Sequence, residues 1–130
     1  MNKYFCNCEQ SLALKELGFN EECIGTFDED KVFDLQDFSQ DYDTLPSHMV
    51  LAPLKSQAFE FFRDKYKMEG YPVCIQFNSK RRKGYQYVII SNNYSSFEQI
   101  GNFDTYEEAE SACIDKLIEI VKNEKSKRRT

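Results

Sequence analysis

Five cysteines, one histidine and two stretches of concentrated charge are the residues of this chain able to do chemistry. Cys6-x-Cys8, with Cys23 and His48, is the one set with metal-ligand character. Zinc sites draw their ligands from paired Cys-x-x-Cys knuckles, and a lone Cys-x-Cys with scattered partners departs from that pattern. Cys8 falls in the first turn of a helix, and Cys23, Cys74 and Cys113 fall in apolar segments, where a thiol packs as a small hydrophobe. The expectation is five reduced, metal-free thiols, with Cys74 and Cys113 slow to react, and no cofactor. Asp28-Glu29-Asp30 and Asp41-x-Asp43 offer calcium-type oxygens. A loop counted from Asp28, however, puts Phe33 where the turn glycine belongs and Ser39 where the bidentate Glu belongs. Nucleophilic catalysis needs a base beside the nucleophile, and His48 follows Pro46-Ser47 in an acidic connector. With no G-x-S-x-G, no Walker loop and no G-x-G-x-x-G, the chain is expected not to be an enzyme.

The charge pattern says more. Residues 1–50 carry eleven carboxylates against three Lys, and residues 51–100 carry eight Lys or Arg against four acids, within a net charge of -5. That segregation makes the chain dipolar, able to steer a charged partner or a second copy of itself. The acidic segment Glu21 to Asp43 interleaves nine carboxylates with Phe27, Phe33, Phe38 and Tyr42. It reads either as a solvated hairpin whose aromatics face the core, or as a partner-binding face of Asp28, Glu29, Asp30, Asp34, Asp37, Asp41 and Asp43. The second reading is that of a nucleic-acid mimic, competing for a basic groove on another protein. Positive charge is densest in S-K-R-R-K-G, with Lys80, Arg81, Arg82 and Lys83, and in the tail with Lys127, Arg128 and Arg129. Those cations either guard an apolar hairpin and complement a helix C-terminus, or bind polyanions. In the latter case Tyr85 and Tyr87 would stack on bases.

Certain elements must position these groups. A chain of 130 residues, 41% apolar and 15% aromatic with no Trp, can bury a real core without staples. Asn7 and Gln10 form a capping box before Leu12, Ala13, Leu14 and Leu17, and Gly18-Phe19 is a Schellman stop, so a helix spans about residues 8–17. Two short strands follow around a turn at Asp28 to Asp30, then an irregular acidic stretch from Gln36 to His48. Pro53 suits a first helical turn, Leu54, Ala58, Phe61, Phe62 and Tyr66 keep helical spacing, and Gly70 ends that helix. Y-P-V-C-I-Q-F-N, with Tyr71, Val73, Ile75 and Phe77 on one face, pairs with G-Y-Q-Y-V-I-I-S across the basic loop. A loop from Asn92 to Asp104 leads to the Thr105/Glu108 capping box of a final helix faced by Tyr106, Ala109, Cys113, Leu117, Ile120 and Val121. The expected fold class is α+β in the order α-β-β-α-β-β-α, with one antiparallel four-stranded sheet covered on one face by helices. It is expected to be a single domain over residues 1–130, with a basic tail from about residue 123.

A-L-K-E-L-G-F-N-E-E-C and its acidic hairpin, L-A-P-L-K-S-Q-A-F-E-F-F-R-D-K-Y, and F-D-T-Y-E-E-A-E-S-A-C together resemble a family of small uncharacterised proteins carried by phages and mobile elements of gut bacteria. The likeness lies in caps, stops and helix faces. It implies an accessory protein and brings no catalytic residues with it. The functional expectation is a non-enzymatic accessory protein acting by protein–protein contact through the acidic segment, inhibiting a host defence or nucleic-acid-handling protein. Its partner would be a host or phage protein. The alternative is a nucleic-acid-binding module built on the basic loop and tail. With no signal peptide and no apolar run of spanning length, the chain is expected in the host cytosol and away from membranes. Salt-sensitive self-association is a further expectation.

Overall fold

The computed structural model describes residues 2–77, 82–91 and 97–128, with side chains described over 2–75, 84–91 and 101–125. The fold is α+β. After a short 3-10 turn at Asn2–Tyr4 come α1 (Cys8–Glu16), β1 (Cys23–Phe27), β2 (Phe33–Gln40), β3 (Val50–Ala52) and α2 (Lys55–Tyr66). There follow β4 (Met68–Phe77), β5 (Arg82–Ser91), β6 (Phe97–Phe103) and α3 (Tyr106–Arg128). The expected four-stranded sheet is replaced by two three-stranded antiparallel sheets, ordered β2-β1-β3 and β4-β5-β6. The backbone divides into two compact units, Met1–Ala58 and Phe59–Thr130.

In the first unit, local signals place α1 where the sequence put it. The Asn7 side chain accepts the Gln10 N–H at 2.8 Å, and Gln10 returns the bond to the Asn7 N–H at 3.0 Å. Gly18, at φ 100°, donates to the Lys15 carbonyl while Phe19 donates to that of Leu14, the paired bonds of a Schellman stop. Leu14, Leu17 and Phe19 are buried there, whereas Leu12 is exposed and Gln10 and Ser11 take the inner positions. The turn between β1 and β2 uses Lys31 at φ 65° as its left-handed residue. β2 runs on to Gln40, through residues expected to be irregular. It does so by a wide bulge: Gly25 pairs with Leu35 and Cys23 with Gln40, so Ile24 alone spans residues 36–39. β3 was not expected at all. Pro53, expected inside a helix, sits two residues before one, and its carbonyl accepts the Cys6 N–H at 2.8 Å beside a Phe5–Leu54 bridge. Gly25 is required by packing. A Cβ there would lie 2.8 Å from the Ala52 carbonyl oxygen and 3.0 Å from the rings of Phe5 and Phe33.

In the second unit, β4 and β5 pair without interruption from Met68/Ser91 to Phe77/Arg82, so β5 begins inside the basic run. Gly70 does not end α2. Lys67, at φ 56°, makes that turn, and Gly70 lies within β4, where a Cβ would approach Cys113 Sγ to 2.8 Å and Leu117 Cδ1 to 3.0 Å. Gly70 therefore lies against α3. The expected loop from Asn92 to Asp104 contains β6, which carries one extra residue between its pairs Tyr87/Ile100 and Tyr85/Phe103, with Gly101 at φ 104°. Thr105 caps α3 through its hydroxyl, which accepts the Glu108 N–H at 3.1 Å. Ala109, Cys113, Leu117 and Val121 are buried as expected, joined by Ile114 and Ile118, while Tyr106 is exposed and Ile120 half-buried. Phe61, Phe62, Val88 and Ile89 are buried, and Ile75 only half so.

Candidate functional site

The β1–β2 hairpin and the turn that follows hold all seven carboxylates expected to form a partner-binding face, and they do unequal work. Asp28 Oδ1 accepts the N–H groups of Asp30 and Val32 at 2.9 and 3.0 Å, so this carboxylate builds the hairpin turn. Asp41 Oδ1 accepts the N–H of Asp43 at 3.0 Å and of Thr44 at 3.2 Å, building the turn after β2. Asp34 Oδ1 accepts the N–H of Leu35 at 3.0 Å. Glu29, Asp30, Asp37 and Asp43 are exposed, and among the described residues their carboxylates make no hydrogen bond or ion pair.

The four aromatics of this segment separate in the same way. Phe27 is buried and Phe33 half-buried, with Phe33 packing on the rings of Phe5 and Phe27 at 4.9 and 5.6 Å. Tyr42 is half-buried. Its N–H donates to Asn20 Oδ1 at 2.8 Å, and Lys15 Nζ stands 5.0 Å over its ring. Phe38 is 72% exposed, in the bulged part of β2 next to Asp37. Ile24, Val32 and Leu35 are exposed as well. An exposed Phe with apolar neighbours among unpaired carboxylates departs from the solvated-hairpin expectation, in which the aromatics turn inward.

Hydrogen-bond parity tells the two edges of this sheet apart. The Asp28 N–H donates to the Val32 carbonyl, which fixes the alternation of the ladder. Two residues on, Thr26 and Asp34 exchange bonds with each other, so the N–H and C=O of Phe33 and Leu35 point away from β1. Leu51, opposite Thr26 on β3, likewise points its N–H away from β1. That group is taken by the Tyr42 hydroxyl oxygen at 3.1 Å. Burial raises the pKa of this phenol above its ordinary value, the Leu51 hydrogen bond acting the other way. The β3 edge is thus closed at this point by an anchored ring, and the β2 edge is guarded by the exposed Asp34 carboxylate.

The remaining candidates divide between those the structure separates and those it does not describe. Cys6, Cys23 and Cys113 are buried, Cys8 is half-buried and His48 exposed. Among the described residues no three His, Cys, Asp or Glu side chains converge as a metal would require. Burial pushes the Cys23 thiol up to about 12, with Glu21 adding to the rise and the Gln57 hydrogen bond opposing it. Burial does the same to Cys113, again to about 12, with Glu110 adding to it. Cys74, expected to be protected, is exposed on β4. Lys80, Arg81 and Arg129 lie outside the described residues. Arg82 and Lys83 open β5, and Lys127 and Arg128 continue α3, with their side chains outside the described set. Among the described residues, no helix is long and apolar enough to cross a membrane.

An α+β chain with an acidic, aromatic-bearing sheet edge is the class these observations define. Comparison with protein-family models, with curated proteins and with solved structures finds no match to this chain.

Proposed function

We propose that this protein is a non-enzymatic accessory protein of a phage or mobile element, acting in the host cytosol by protein–protein contact through the β1–β2 hairpin. Its partner carries a basic surface, and a host defence or nucleic-acid-handling protein has one where its own nucleic acid binds. The observation that carries this reading is Phe38, 72% exposed on an edge strand between the carboxylates of Asp34 and Asp37 and the Asp41–Asp43 turn. Leaving a Phe in water forgoes the burial it would gain in a core, and an aromatic anchor within a charged rim is how protein interfaces concentrate their affinity. Carboxylates around it steer a basic partner and repel acidic ones.

Affinity capture from host lysate tests the reading. The comparison is between the wild type and an Asp34→Asn/Asp37→Asn/Phe38→Ser variant. A protein held by the first, released by salt and lost by the second supports it. Equal capture by both, or a salt-sensitive shift of labelled DNA or RNA by the protein alone, moves the function to the basic loop and tail.

A further inference from the structure

Among the described residues, the β2 edge of the first sheet is open to another strand. On β3 the outward N–H of Leu51 is held by the Tyr42 hydroxyl. On β2, among the described residues, no strand lies beyond Phe33 and Leu35. The Leu35 N–H is covered only by the neighbouring Asp34 carboxylate, an exposed group held by a one-residue hydrogen bond. Such a bond is easily exchanged, and what can exchange it is set by charge. A cation arriving on a neighbouring strand draws the carboxylate to itself and frees the N–H for a ladder bond. A second β2 edge centred on Asp34 would bring that carboxylate against its own copy, and like charges facing across strands oppose pairing.

We infer that the β2 edge accepts an extended, basic segment of the partner protein as an added strand, with Asp34 as the group that admits it. The inference rests on the acidic-contact reading above and specifies its mode: main-chain bonds supply affinity, and alternate side chains supply selection. Leu35 gives the incoming strand an apolar contact on one face of β2, and Asp34, on the other face, opposes its cations.

The test uses the wild-type protein with three synthetic peptides of equal length. One alternates Lys with Val, one alternates Glu with Val, and the third matches the first with Pro in place of its central Val. Proline keeps the charge and removes a ladder donor. The inference expects the Lys peptide to bind, the Pro peptide to bind roughly tenfold more weakly, and the Glu peptide not to bind. It also expects hydrogen exchange at the Phe33 and Leu35 amides to slow only with the Lys peptide. Equal binding of both cationic peptides, with no protection at Phe33 or Leu35, overturns strand addition while leaving the acidic contact standing. Failure of both cationic peptides to bind, or equal binding of the Glu peptide, overturns both. Protection of these amides at high protein concentration without peptide assigns the edge to a second copy of the chain, and also overturns the inference.

Discussion

The phenolic oxygen of Tyr42 accepts the backbone N–H of Leu51 at 3.1 Å, tying the acidic turn after β2 to the opposite edge of the sheet. Leu51 is fully buried, so its N–H has no water to turn to. Tyr42→Phe keeps the ring and leaves that donor unsatisfied, a loss of about 1–3 kcal/mol. Urea denaturation of the two proteins should show it. Equal midpoints would mean that Leu51 finds another acceptor.

Stability should fall as pH rises through the alkaline range. The buried thiols of Cys23 and Cys113 are raised from 9.0 to about 12 in the folded chain. Above 9 the unfolded chain therefore releases protons that the folded chain still holds, and unfolding gains. The contribution is complete below 9 and is lost on the way to 12. Tyr42 shifts in the same direction from 10.0. Melting temperatures followed upward from neutral pH should drop, and the drop should be shallower in Cys23→Ala/Cys113→Ala. Identical slopes would contradict the burial of these thiols.

Close packing of Gly70 against α3 makes a paired prediction. Gly70→Ala sets a methyl group 2.8 Å from Cys113 Sγ and should cost about 1–3 kcal/mol. Adding Cys113→Ala removes the nearest atom, so the double variant should lose less than the two single losses combined. A double-mutant cycle by thermal melting measures this. Simple additivity would separate the two residues.

Thiol labelling under native conditions should modify Cys74 first and Cys8 next, with Cys6, Cys23 and Cys113 reacting only as the fold opens. Peptide mapping after timed labelling reads the order. Early modification of Cys113 would place it outside the interior.

α1 was legible to within one residue because its signals are local: Asn7, Gln10 and Gly18 act within one turn of their own position. The β1–β2 and β4–β5 hairpins were legible through alternation around polar turns. β6 was not, because the extra residue at Gly101 breaks the period of two on which a strand is recognised. β3 has three residues, too few to show any period. Gly70 reads locally as a helix stop, and its actual duty, close approach to Cys113, is set by a residue far along the chain. The seven acidic residues were visible as a charged run. Their division into turn builders, an edge guard and unpaired groups depends on hydrogen bonds formed only in the hairpin. Phe38 looks like a core residue in sequence. Counted from Phe33, which packs on Phe5 and Phe27, a period of two sets Phe38 on the opposite face, and the bulge between Leu35 and Gln40 leaves it without a partner on β1.

On the proposed reading, Phe38 serves binding and contributes little to the fold. The most direct measurement is the affinity of the captured partner for the wild type and for Phe38→Ser, made alongside their melting temperatures. Phe38→Ser should change stability by no more than about 0.5 kcal/mol, as for an exposed site, and should lose about 2 kcal/mol or more of binding free energy, as for an interface anchor. Unchanged affinity, or a loss of binding that merely follows a loss of stability, would contradict this reading.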